Sequence, residues 1–149
     1  MTIAPIQYAI NQAKTAETKG EVPIGAIIVN SVNKEVVASA YNLTETHSDP
    51  TAHAEILAIR EACQKLGTPR LIHCDIYVTL EPCPMCAQAI SFARIRRLYF
   101  GAYDIKGGGV ENGPRIFHQQ TCHHKPEVIG GMEENTCADL LKQFFAGKR

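Results

Sequence analysis

Residues 74–90, CDIYVTLEPCPMCAQAI, set the frame for the whole chain. CDIYVTL is a nearly continuous apolar run, the composition of a strand covered on both faces. It hands over within a few residues to a helical pattern. Cys83 reads as the N-cap and Pro84 as the first helical residue, where a fixed φ and a missing N–H cost nothing. A buried strand feeding straight into a helix calls for helices packed on the faces of a sheet. The remaining sequence supplies them. Ile3, Ile6, Ile10 and Ala13 recur at close to 3.6 residues and predict an amphipathic helix over 3–18. IGAIIV and EVVASAY are rich in β-branched residues and flank NSVNK, so they predict an antiparallel hairpin. TAHAEILAIREACQKLG predicts a second helix, with Asp49 as N-cap, Pro50 at the first helical position and Gly67 as the stop. RRLYFGAY reads as a strand, DIKGGGVENGP as a glycine-rich loop and RIFHQQ as a short helix. PEVIGG reads as a weak strand and NTCADLLKQFFAG as a terminal amphipathic helix. The order α-β-β-α-β-α-β-(α)-β-α predicts an α/β fold, three-layer α/β/α with a mixed five-stranded sheet, as one domain over 1–149.

Charge excludes one class of function. Lys plus Arg and Asp plus Glu are 15 each among 149 residues, so the chain is not a strongly basic nucleic-acid coat protein. Local basic patches remain open to it. No apolar run approaches the roughly 20 residues of a membrane span. The N-terminal stretch lacks the basic segment and apolar block of a secretory signal, so a cytoplasmic location is expected. In a reducing compartment the six cysteines do not form structural disulfides. A C-x-x-C there is metal-binding or catalytic.

Cys83 and Cys86 lie about 300° apart around the first helical turn, on neighbouring azimuths. The helix N-terminus favours their thiolates, and thiolates bind zinc. A redox pair at a strand-to-helix junction is the rival reading. Two ligands do not make a zinc site, and TAHAEI offers the rest: His53 as a third ligand and Glu55 as a nearby carboxylate. Three protein ligands leave one coordination position for water, as in catalytic zinc sites. Zinc lowers the pKa of that water, and a carboxylate beside it can move the proton.

HAE followed by PCPMC matches the H-x-E…P-C-x-x-C signature of zinc deaminases. The chain resembles the cytidine/deoxycytidylate deaminase superfamily, and its fold is therefore expected to be cytidine deaminase-like. EVPIGAIIV, DPTAHAEILAIR, IYVTLEPCPMCAQAI and ARIRRLYFGA are similar to the bacterial tRNA adenosine deaminases, across nearly the whole chain. The resemblance implies that His53, Cys83 and Cys86 hold one Zn2+ per subunit and that Glu55 shuttles the proton. It implies hydrolytic conversion of adenosine to inosine at the wobble position of a tRNA anticodon stem-loop. It also implies a homodimer, with Asn42 and Asp104 contacting substrate. The glycine-rich loop and QQTCHHKPEV depart from the pattern. They leave deamination of a free base or nucleoside (guanine, cytosine or cytidine) as the alternative. A zinc-stabilised RNA-binding module without catalysis fits less well, since the motif supplies three ligands and a carboxylate.

Outside the motifs, Arg94, Arg96 and Arg97 read either as a solvated helix end or as phosphate contacts. Cys122, His123 and His124 lack a partner pattern for a second metal. Cys63, Cys74 and Cys137 read as small buried hydrophobes. Phe144 and Phe145 are expected to pack the last helix.

Overall fold

A computed structural model describes residues 3–148. Helix α1 (Pro5–Thr18) opens with Pro5 in its first turn and leads into strand β1 (Gly25–Asn30) and strand β2 (Val36–Tyr41). Helix α2 (Ala54–Leu66), strand β3 (Cys74–Leu80), helix α3 (Pro84–Phe92) and strand β4 (Arg97–Ala102) follow. A 3-10 turn (Ile116–His118), strand β5 (Glu127–Ile129) and helix α4 (Glu134–Ala146) complete the chain. Both the order of elements and the five-stranded mixed sheet match the expectation.

The sheet order is β2-β1-β3-β4-β5. β1 runs antiparallel to both β2 and β3, whereas β3, β4 and β5 are parallel. Four strands therefore share one direction, with β1 opposed. The C-terminal ends of β2, β3 and β4 reach the same edge of the sheet, the end where α/β sheets of this kind bind ligands. Asn42, the Glu81–Cys86 turn and the Asp104 loop all leave the sheet there.

α1 and α4 cover one face, and α2 and α3 the other. On the α2/α3 side, Ala54, Ala58, Ala87 and Ile90 pack on Ile28, Ile76, Leu98 and Phe100. On the opposite side, Ile6 and Ile10 of α1 and Cys137 of α4 meet Ile27 and Val29. Fully burying each large apolar side chain stabilises by roughly 1.5–3 kcal/mol. The helices lie close to the sheet because alanines face it, which brings the start of α2 near the start of α3.

Three expectations are corrected and one open reading is narrowed. α2 starts at Ala54, not at Pro50. The Asp49 carboxylate accepts the Thr51 N–H (2.8 Å) and hydroxyl (2.7 Å), a local turn that competes with the helix. His53 then sits at the N-cap in extended geometry, φ −74°, ψ 152°. Phe145 does not pack the last helix: it is 53% exposed, because α4 is anchored through Cys137, Ala138 and Leu140 near its start. Cys63 is only half-buried. The arginine cluster is largely paired within the fold. Arg96 makes a bidentate pair with Asp75 (3.0 and 2.7 Å), and Arg97 pairs with Glu127. Both arginines lie at the start of β4, at the sheet end away from Asn42 and Asp104, so of the two readings the solvated, internally paired one fits them better.

Candidate metal centre

Two helix N-termini face each other at the site. Cys83 caps α3 with Pro84 behind it, and His53 caps α2. Cys86 follows one turn into α3 and Glu55 in the first turn of α2. Neither cap uses its side chain to hold its own helix. Both side chains are free to turn toward the gap between the helices.

They converge. His53 Nδ1 lies 3.6 Å from Cys83 Sγ and 3.5 Å from Cys86 Sγ. The three ligand atoms all fall within 4.8 Å of one another. A tetrahedral zinc ion with Zn–N of about 2.05 Å and Zn–S of about 2.3 Å needs N···S separations of about 3.6 Å. The donor set and its spacing therefore fit zinc. Among the described residues no other such cluster of His, Cys and acidic ligands occurs. The Cys122–His124 segment is structural. Ser91 Oγ donates to the His124 carbonyl (2.8 Å), and the His124 ring lies 2.6 Å from the Ile95 carbonyl.

Hydrogen bonding and burial link the protons of these four groups. The Cys83 thiol is held down to about 4 because the Cys86 thiol donates to its sulfur and His53 adds a second hydrogen bond, outweighing burial. Cys86 is pushed up as its proton is used in that bond and it is more deeply buried. The hydrogen bond to Cys83 raises the His53 imidazole. Glu55 is 4% exposed, and burial pushes its carboxyl up to about 7. Its carboxylate stands outside the three-ligand cluster, within hydrogen-bonding reach of Cys86. A carboxyl beside the ligands, and not among them, is placed to handle protons.

Asn42 and Asp104 share the sheet edge but not the cluster. Asn42 is buried, and its N–H donates to the Ile24 carbonyl at 3.1 Å. Asp104 is half-buried, and its Oδ1 accepts the Gly107 N–H at 2.9 Å, which folds its own loop.

Two buried carboxylates escaped the sequence reading. Glu81, 1% exposed, accepts the N–H groups of Asp104 (3.0 Å), Val110 (3.1 Å), Glu111 (2.8 Å) and Asn112 (3.0 Å), together with the Asn112 side-chain amide (2.7 Å). Burial alone would raise its carboxyl, but these donors hold it below its ordinary value. Glu21, fully buried, accepts the N–H groups of Glu45 (3.2 Å) and Thr46 (2.6 Å) and the Thr46 hydroxyl (2.6 Å). The available signal was an acid set against an apolar run, as in TLEPC and GEVPIG.

Comparison with known proteins follows the same line. The family model of the cytidine and deoxycytidylate deaminase zinc-binding region matches residues 3–102. A tRNA-specific adenosine deaminase of Agrobacterium fabrum is 54% identical over 144 residues, covering 97% of this chain and 93% of that protein. The tRNA-specific adenosine deaminase of Bacillus subtilis is 48% identical over 140 residues, covering 94% of this chain and 86% of its own. A solved tRNA:A34 deaminase, studied for A-to-I editing at the wobble position of transfer RNA, superposes with a TM-score of 0.89 at 53% identity. It covers 92% of this chain and 98% of that one.

Proposed function

Because this chain belongs to the tRNA-specific adenosine deaminases of the zinc-binding cytidine and deoxycytidylate deaminase family, we propose that it hydrolytically deaminates adenosine to inosine at the wobble position of a tRNA anticodon. The observation that carries this reading is the His53, Cys83, Cys86 cluster with Glu55 beside it, in a chain similar to such deaminases over nearly its full length. His53 and the two cysteines hold one zinc per subunit, and residues 1–149 act as one deaminase domain. When bound, zinc supplies the Lewis acidity that makes water nucleophilic near neutral pH.

The residues of the chain do the rest. Glu55 takes a proton from the attacking water. It passes that proton to N1 of the adenine ring, and then assists a second transfer to the departing amine. Water's oxygen ends on C6 and ammonia leaves, so inosine remains. The adenine must leave its stack to reach a buried carboxyl, which favours the unpaired bases of an anticodon loop. Asn42 and Asp104, at the same sheet edge, contact the target nucleotide and its neighbours. The protein works as a cytoplasmic homodimer. Among the described residues no helix is long and apolar enough to cross a membrane. The α2/α3 surface carries Phe92 at 69% exposure beside Ile56, Ile59 and Pro69, an apolar face suited to a second copy.

Zinc-loaded protein incubated with an anticodon stem-loop carrying a wobble adenosine tests the reading. Inosine in the RNA is expected. Ammonia from guanine, cytosine or cytidine, with the RNA unchanged, would move the activity to free bases or nucleosides.

A further inference from the structure

The glycine-rich loop is fixed to the metal-ligand turn by a single buried side chain. Two Glu81 oxygens serve five donors, four of them main-chain N–H groups spread over residues 104–112. None of the five donors carries a positive charge. If the loop lifted, a carboxylate that is 1% exposed would lose its hydrogen bonds while still buried, a costly state. The loop also fits tightly against the ligand turn. The Gly109 N–H donates to the Pro82 carbonyl at 2.8 Å. A Cβ on Gly109 would meet Pro84 N at 2.6 Å and Cys83 C at 2.9 Å, and one on Gly108 would meet the Glu81 carboxyl at 2.6 Å. Glycine is needed at both positions for this approach, not for an unusual φ.

We propose that Glu81 is a positioning residue: it locks the 104–112 loop onto the Cys83 turn, so the substrate rim beside the metal centre is set before RNA arrives. The RNA part of this rests on the function proposed above. The lock itself does not.

The test uses zinc-loaded full-length protein and the variants Glu81→Gln, Gly108→Ala and Asn112→Ala. Gln would place an amino group against main-chain N–H donors. Gly108→Ala strains the same contact from the loop side and leaves the carboxylate in place, so it carries the test if Glu81→Gln does not fold. Amide hydrogen exchange is read on peptides spanning 104–116, 53–66 and 84–92, with zinc per chain and the kcat and KM for a wobble-adenosine stem-loop. Glu81→Gln and Gly108→Ala should speed exchange at least tenfold in 104–116 only. Zinc should stay at one per chain, and KM should rise about tenfold with kcat within threefold. Asn112→Ala should show a smaller change in the same direction. Unchanged loop exchange would overturn the proposal. So would exchange rising in all three peptides, zinc loss, or a fall in kcat alone, each of which would make Glu81 a general support of the fold or metal. If the wild type leaves RNA untouched, the function reading fails by itself, and loop exchange still decides the lock.

Discussion

At the residue scale the account rests on four side chains whose chemistry is tied to their type. Glu55 lies outside the ligand cluster, so removing its carboxylate should spare the metal. Glu55→Gln should keep one zinc per chain and an unchanged circular dichroism spectrum while turnover falls about 10²–10⁴-fold. Retained turnover would end the proton-transfer role. Cys86→Ala should behave in the opposite way. It leaves two protein ligands where zinc needs at least three, so dialysed protein should hold far less than one zinc per chain by atomic emission. The convergence of His53, Cys83 and Cys86, with Glu55 beside them, was legible in the sequence because His, Cys and Glu at this spacing signal their chemistry by residue type. Glu81 and Glu21 were not. Their partners are mostly main-chain N–H groups 23–31 and 24–25 residues away, and an N–H leaves no residue-type signal. The arginines stayed open to two readings for a related reason. Neighbours in sequence, Arg96 and Arg97 are separately paired by Asp75 and Glu127, from two flanking strands.

At the scale of elements, hydrophobic period identified helices and strands in the correct order, while local side-chain turns moved their ends. The Asp49 turn delays α2 to Ala54 and leaves His53 extended at the cap, and this lets its ring reach both sulfurs. Glu21 holds the segment that leads there. Its hydrogen bonds to Thr46 and Glu45 keep its carboxyl below the ordinary 4.5, against the effect of burial. A depressed folded value means that the stabilisation is full above about pH 4.5 and is lost as pH falls through the folded value. Glu21→Gln should therefore unfold more easily than wild type at pH 7, by about 1–3 kcal/mol. That gap should narrow as pH falls below about 4.5 in thermal melts of the two proteins. A gap independent of pH would show that the ionised carboxylate is not what holds the loop.

At the scale of the molecule, the sheet brings together residues from 42 to 112 because β2, β3 and β4 end at one edge. No single stretch of sequence displays that convergence. It follows from strand direction. The apolar α2/α3 face predicts assembly: sedimentation equilibrium should give twice the 16.4 kDa chain mass, and Phe92→Glu should shift it to monomer. A wild-type monomer at micromolar concentration would contradict the dimer. The central claim is that a zinc site with one proton-shuttling carboxylate acts on a single unpaired adenosine in a tRNA anticodon. Its most direct test maps inosine by sequencing after zinc-loaded protein has acted on two stem-loops, one with adenosine at the wobble position and one with that adenosine moved into the stem, alongside free adenosine. The account predicts inosine at the wobble position alone. Equal conversion of free adenosine, or of the stem adenosine, would contradict it.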